Sequence, residues 1–332
     1  VTQKPLKASA RAHSNIALIK YWGKREIALN LPAVGSLSVA LADLYTDTQV
    51  EFSESLDEDD VILDGHENAK SSRRISQFID LVRAQARTDL RAKVRSRNNF
   101  PTGAGLASSA SGFAALALAA TKAAGVDLSP RELSILARQG SGSAARSLFG
   151  GFVEMHRGEK ADGSDAYAEP VLDADEWPLS LVIAITETEP KKVDSTEGMQ
   201  SSAASSAFYQ SWVDSSPDDL AAMRAAIAQR DFQAVGELTE YSCLKMHGLM
   251  LSAKPGLLYW NPATVALIHR VRELRKEGLS VYFTIDAGPQ VKALCLPQDK
   301  QAVSNALAEV TGVQSVRSSE LGPAAHLIAD DE

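Results

Sequence analysis

Phe100-Pro101-Thr102-Gly103-Ala104-Gly105-Leu106-Ala107-Ser108-Ser109-Ala110-Ser111-Gly112, running on into Phe113-Ala114-Ala115-Leu116-Ala117-Leu118-Ala119-Ala120, reads as a loop of small residues that opens an alanine-rich helix. Such a junction leaves backbone N–H groups unpaired at the helix start and turns the positive end of the helix dipole outward. Glycines let the backbone approach a ligand closely, and the serine hydroxyls can hold oxygen or a hydrated cation. The plainer reading is an N-cap, with Ser108 or Ser109 capping a core helix. Two glycines, Pro101 and adjacent serines stand before a helix too small-sided to be an ordinary amphipathic one. That combination favours a polyphosphate site. No Gly-Lys-Ser/Thr follows, which excludes a Walker loop, and the glycine spacing is wrong for a dinucleotide fingerprint.

The rest of the chain sets the frame. Its 332 residues leave room for two domains, and 45% apolar with 23% charged residues is a globular composition. No apolar run reaches the ~20 residues that cross a bilayer, and no secretory signal opens the sequence, so no membrane association is expected. Cys243 and Cys295 lie far apart in apolar surroundings and read as buried thiols, which points to a cytoplasmic location. A net charge of −8 argues against nucleic acid as the main partner, but not against a small anion held by local lysines and arginines.

Periodicity and turn signals predict strands over 6–20, 46–52, 61–63, 90–97, 151–156, 179–187, 280–286 and 291–296, with a last strand within 323–328. Asp64-Gly65 is a hairpin signal. Helices are expected over 70–86, with Ile75, Phe78, Ile79 and Val82 inward, and from Ser129-Pro130 to Gly140 with Glu132 completing a capping box. Further helices are expected over 197–213, 217–229, 231–247, 262–277 and 298–311, with Ser216-Pro217 and Asn261-Pro262 as starts and Gly278 as a stop. The first domain is expected to span 1–187 and the second 188–332.

Several residues could carry chemistry. Lys20, Tyr21 and Lys24 bring two cations and a phenol into one short segment, which by itself reads more readily as a solvated loop with Trp22 plugging the core. Arg146, in Gly140-Ser141-Gly142-Ser143-Ala144-Ala145-Arg146-Ser147, has the planar fork that suits a carboxylate, or it pairs with a surface acid. Asp286 ends a strand just before Gly288-Pro289, a place for either a turn-former or a catalytic acid. Asp194 reads as an N-cap. His247 reads as a packing residue.

Four of these blocks, in this order, resemble one family. Gly105-Leu106-Ala107-Ser108-Ser109-Ala110 is similar to the phosphate loop of the GHMP kinase superfamily, in the form of its mevalonate diphosphate decarboxylase branch. Ser14-Asn15-Ile16-Ala17-Leu18-Ile19-Lys20-Tyr21-Trp22-Gly23-Lys24, the Gly140–Ser147 block and Asp286-Ala287-Gly288-Pro289 resemble the remaining signatures of that branch. Gln290 stands where the family has Asn. The resemblance implies an α+β, GHMP-kinase-like two-lobed fold. Its N-terminal domain would be ribosomal-protein-like, its C-terminal domain ferredoxin-like α/β, with a cleft between. It implies ATP-dependent decarboxylation of (R)-5-diphosphomevalonate to isopentenyl diphosphate, with ATP and Mg2+, in a homodimer.

By the same match Asp286, Arg146, Lys20 and Asn15 are catalytic. Tyr21, Lys24, Ser141, Ser143 and Ser195 join Arg146 in holding the substrate. Ser96, Gly103, Gly105, Leu106, Ala107, Ser108 and Ser109 hold ATP, with Ser109 a candidate Mg2+ contact. Val34-Gly35 replaces the polar pair usual before Ser36-Leu37-Ser38, near where substrate would bind. This keeps a phosphomevalonate decarboxylase or a mevalonate kinase-like enzyme open as alternatives. A non-catalytic RNA binder, suggested by the N-terminal fold alone, is disfavoured by the acidic charge and the catalytic set.

Overall fold

The computed structural model describes residues 6–100, 108–189 and 192–329. In chain order the strands are β1 Lys7–Ile19, β2 Lys24–Glu26, β3 Leu31–Pro32, β4 Ser36–Ser53, β5 Asp60–Leu63, β6 Arg91–Asn98, β7 Phe152–Met155, β8 Ala168–Leu172, β9 Ser180–Ile185, β10 Val281–Ile285, β11 Val291–Cys295, β12 Ser315–Glu320 and β13 His326–Ile328. The helices are α1 Ala69–Ala86, α2 Ser108–Ala123, α3 Pro130–Gly140, α4 Ser195–Ser205, α5 Tyr209–Ala228, α6 Phe232–Leu251, α7 Pro262–Lys276 and α8 Lys300–Ala308.

Two sheets organise the molecule. The first runs β13-β1-β4-β6-β5, with β7 also on β4 and β8 on β7. The second is antiparallel, β10-β11-β9-β12. The α2 helix packs into the core of the first sheet together with α1 and α3, and its alanines are buried among Val50, Phe52, Val94, Phe78 and Leu136. Small side chains let this helix come close to the strands, so its start is fixed at the edge of the core. Alternation along β9 builds two cores. Leu181 and Ile183 face Ile16, Leu18, Leu37 and Val39 of the first sheet. Val182 and Ala184 face α7 and α8 through Leu267, Val271, Val303 and Leu307. The expected division after residue 187 groups β9 with the first half of the sequence, whereas its hydrogen-bonded neighbours are β11 and β12.

Most expected elements are present, with the Ser129 capping box complete and Ile75, Phe78, Ile79 and Val82 buried on α1. Four differ. Pro217 does not start a helix, because α5 runs through it. Trp212, Ser216, Leu220 and Met223 form one buried stripe across the proline, and that packing overrides the local Ser-Pro-Asp-Asp start signal. The expected 197–213 helix breaks instead after Ser205. Asp64 and Gly65 turn with positive φ and close the expected two-residue hairpin turn, Leu63 and His66 exchanging both backbone hydrogen bonds at 2.9 Å, but the pairing stops at that single bridge and β5 instead runs parallel to β6, joined to it through α1. The 46–52 strand is the second half of an 18-residue strand whose two halves serve different neighbours, β7 and β6. The β8 and β12 strands carry charged, proline-containing or serine-rich sequences that give no apolar alternation, and they were not anticipated.

Candidate active site

The end of β1, the start of α2, the turn after α3, the start of α4 and the turn after β10 surround one cavity of about 570 Å³. Its lining includes Asn15, Lys20, Tyr21, Lys24, Ser108, Ser109, Ser141, Ser143, Arg146, Ser195 and Asp286. These residues come from distant parts of the sequence. A smaller adjoining pocket, lined by Ser96, Ser108, Ser109, Arg74, Phe113 and Leu116, opens beside the α2 start. Gly103, Gly105, Leu106 and Ala107 lie outside the described residues. Every other expected site residue lines one of these two spaces.

Asp286 follows the last residue of β10, where pairing with β11 ends at Ile285 and Val291. Its carboxylate meets two ammonium groups. Lys20 donates to Oδ1 at 2.6 Å and Lys292 stands 3.1 Å from Oδ2. Burial pushes the Asp286 carboxyl up, but the charges and hydrogen bonds of Lys20 and Lys292 outweigh it and hold the group well below the usual carboxylate range. The α6 helix fixes both members of the Lys20–Asp286 pair. Ser242 Oγ accepts from the Lys20 backbone N–H at 3.0 Å, and the neighbouring Cys243 Sγ accepts from the Ile285 N–H at 3.2 Å. Cys243 is buried, and its thiol is pushed up to about 11, so it stays protonated.

Arg146 sits in a short 3-10 turn, 2% exposed. Its Nε donates to Ser38 Oγ at 3.0 Å, its Nη1 donates to Ser36 Oγ, and Nε and Nη2 both donate to Asn15 Oδ1. Asn15 is in turn fixed by donation to Ser147 Oγ at 2.8 Å and Ser143 O at 3.1 Å. Among the described residues no acid pairs with Arg146. Burial lowers the guanidinium to about 10, which leaves it charged at neutral pH. A buried cation held by neutral acceptors is a prepared partner for an anion.

Tyr21 faces the same cavity. Its ring lies 5.9 Å from the Arg146 guanidinium carbon, and its buried hydroxyl has no hydrogen-bond partner among the described residues. A polar atom left so in a cleft points to a ligand. Gly142 makes room for it, since a Cβ there would meet Tyr21 Oη at 2.3 Å. Ser141 Oγ reaches Ser109 Oγ at 3.5 Å and Ser143 Oγ at 3.3 Å, so hydroxyls from two turns meet at the α2 start. Lys24 donates to Thr196 Oγ1 at 3.2 Å. Asp194 caps α4 by accepting from Glu197 N–H at 3.0 Å and also pairs with Lys70 at 3.4 Å. Ser96 exchanges a hydrogen bond with Thr48 Oγ1 at 2.8 Å in the smaller pocket.

Lys70, Arg74 and Lys292 were not anticipated. Lys70 and Arg74 share one face of α1 at i, i+4 and line the cavity. The signal for Lys292 is a lysine in an otherwise apolar strand. It pairs opposite Thr284, two residues before Asp286, and so shares their face. Conversely, Val34 and Gly35 do not line the cavity. Val34 packs with Trp22, Met199 and Trp212, and Gly35 lies under Leu220 and the Met155 carbonyl.

The chemistry of this donor set fits a nucleotide with Mg2+. Three serine hydroxyls and several cations meet at a helix start, and no group of three or more His, Cys, Asp or Glu side chains suited to a metal occurs among the described residues. Mg2+ in such a setting takes its ligands largely from phosphates and water.

Residues 12–168 match the family described as diphosphomevalonate decarboxylase-like N-terminal domain, and residues 181–325 match the mevalonate 5-diphosphate decarboxylase C-terminal domain. The chain is 39% identical to a diphosphomevalonate decarboxylase of Aspergillus fumigatus over 92% of this chain and 81% of that one. It is 41% identical, with a TM-score of 0.91 and coverage of 98% and 99%, to a solved structure described as MDDEF in complex with MVAPP, AMPPCP and magnesium. A mevalonate diphosphate decarboxylase structure from Staphylococcus aureus is 39% identical, with a TM-score of 0.91 and coverage of 97% and 98%.

Proposed function

This chain belongs to the diphosphomevalonate decarboxylase family, and from that membership we propose that it converts (R)-5-diphosphomevalonate and ATP to isopentenyl diphosphate, CO2, phosphate and ADP in the cavity described above. Its fold is the GHMP-kinase-like one, and solved relatives bind MVAPP, an ATP analogue and magnesium. In this reading 1–187 supplies the nucleotide-phosphate side of the cleft and 188–332 supplies Asp286.

A tertiary hydroxyl is a poor leaving group and is first phosphorylated. Asp286, ionised between two lysines, orients that hydroxyl toward the γ-phosphate. Ser108, Ser109 and the backbone N–H groups at the α2 start hold the ATP phosphates, and Ser109 with Ser141 and Ser143 suits Mg2+ bound through them. Mg2+ supplies neutralisation of phosphate charge. Phosphate departure leaves positive charge at the tertiary carbon, and the carboxylate then leaves as CO2. Arg146, set by Asn15, Ser36 and Ser38, holds that carboxylate so that the breaking bonds align. Tyr21, Lys24, Ser141, Ser143 and Ser195 hold the diphosphate. Ser96 borders the nucleotide pocket.

The observation that carries this reading is the convergence of Asp286, Arg146 and Ser109 on one cavity. Arg146→Lys keeps the charge and loses the fork. A fall in kcat/KM for CO2 release of about 100-fold or more is expected. Unchanged turnover would remove Arg146 from the mechanism. We extend the proposal to a cytoplasmic homodimer. Its support is two buried free thiols and an exposed apolar face on α6, with Tyr241, Leu244 and Leu251.

A further inference from the structure

Lys292 occupies a position that the reaction described above does not explain. Its side chain is 0% exposed, while Asp286, 3.1 Å away, is 27% exposed and lines the cavity. The lysine does not line it. An ammonium group taken wholly out of water needs a strong reason to be there. The sheet provides the placement. Lys292 pairs across from Thr284, so its side chain rises on the same face as Asp286 and reaches the carboxylate from behind. Lys20 meets the other oxygen from the cavity side, at 2.6 Å. One carboxylate thus lies between two lysine amines. Burial lowers the Lys292 ammonium from its usual range, and the Asp286 carboxylate beside it opposes that fall. A single lysine would already pair the acid; the second places an amine 3.1 Å from the far oxygen.

We propose that Lys292 is a positioning residue for the decarboxylase reaction, acting through Asp286: it holds the far oxygen so that the near oxygen meets the substrate hydroxyl as a fixed carboxylate. This rests on the functional reading given above and adds to it a residue that touches neither substrate nor nucleotide.

The other groups around Asp286 leave this task to the lysines. Lys20 directly follows β1, Arg146 comes from the 3-10 turn, and Cys243 and His247 from α6. Burial raises the Cys243 thiol to about 11 and lowers the His247 imidazole to about 3, so both are neutral across the working range. Arg146 bears its charge toward the cavity. Loss of Lys292 therefore removes one of the two cations that hold the Asp286 carboxyl down. It leaves Lys20 as the one ammonium group against the Asp286 carboxylate.

The test is steady-state kinetics of Lys292→Met and Lys292→Arg at about pH 7, with ADP and CO2 both scored. The methionine variant is expected to lose about 100-fold in kcat, with KM for ATP and for diphosphomevalonate changed less than about threefold. Lys292→Arg, which returns a cation to the same place, is expected to recover at least about tenfold of that loss. A residue that only filled space would leave the methionine variant at least as active as the arginine one. Lys292→Gln, also uncharged, stands in for methionine if that variant is insoluble. A kcat within about twofold of wild type for the uncharged variant, or an arginine variant no more active than it, overturns the proposal. Those results would be read beside wild-type CO2 release, which must be present. If the wild type releases none, the functional reading fails and this inference with it.

Discussion

Asn15 and Arg146 are joined twice through one oxygen, with Arg146 Nε at 3.3 Å and Nη2 at 3.2 Å from Asn15 Oδ1. The contact links β1 to the turn after α3 and keeps the guanidinium charge uncompensated. A neutral amide orients the cation without spending its affinity for an anion.

Asn15→Asp should therefore be worse than Asn15→Ala. The aspartate would form a buried ion pair with Arg146 and withhold it from the substrate carboxylate. A loss in kcat/KM of about 100-fold for the aspartate variant is expected, against about 10-fold for alanine. Steady-state CO2 release measures both, and an aspartate variant as active as wild type contradicts the assignment.

Asp286→Asn should lower kcat by about 1,000-fold while ATP affinity stays within about twofold. The amide cannot offer a charged acceptor to the hydroxyl, and the pocket beside Ser96 and Ser109, proposed above for the nucleotide, is lined by other residues. Single-turnover ADP release and nucleotide titration separate the two quantities.

Gly142→Ala should raise the KM for diphosphomevalonate about 10-fold with little change in melting temperature. The new methyl group displaces the Tyr21 hydroxyl, which it would meet at 2.3 Å, away from the cavity. A KM equal to wild type would show that Tyr21 does not contact substrate.

His247 sets a pH dependence of stability. It is buried on α6, where Trp260 Nε1 lies 3.3 Å and Ile285 O 3.2 Å from its Nε2. Burial lowers its folded-state pKa to about 3, against about 6.5 in the unfolded chain. Between these values the unfolded chain binds the extra proton. Its contribution is thus fully present above about pH 6.5 and is lost as pH falls, by about 1.4 kcal/mol per unit. Urea unfolding of wild type and His247→Asn should show a stability difference that shrinks as pH drops from about 7 to about 4. A difference independent of pH would contradict the burial argument.

Gly35→Ser tests the departure from the family's polar pair. A Cβ at Gly35 would meet Leu220 Cδ1 at 2.5 Å, so the variant should lose about 1–3 kcal/mol of stability. Its preference between mono- and diphosphate substrates should not change, since neither Val34 nor Gly35 lines the cavity. A switch in preference would place this segment in substrate selection.

Much of the site was legible because its residues come in short blocks that resemble one family's signatures; their chemistry alone left Lys20, Tyr21 and Lys24 as a solvated loop and Asp286 undecided between turn-former and acid. Ser141, Ser143 and Arg146 lie in one turn, Lys20, Tyr21 and Lys24 in another, and the Asp286 turn is punctuated by Gly288-Pro289. What joined them was not legible. Lys292 matters because β11 returns beside β10, and strand pairing is a long-range fact that residue type alone does not state. The same limit hid β12, whose Arg317, Ser318 and Ser319 show no alternation and which is held as a strand by β9. Pro217 misled for the converse reason, since its local start signal is strong and the buried stripe that overrides it is tertiary. Val34 and Gly35 are near the site in sequence and behind it in space.

The central claim is that one cleft couples phosphoryl transfer to loss of CO2. The direct measurement is the ratio of ADP to CO2 released with mevalonate, its 5-phosphate and its 5-diphosphate in turn. A ratio of about one with the diphosphate, and little release of either product with the other two, is the predicted result. ADP without CO2, or faster decarboxylation of the monophosphate, would contradict the account.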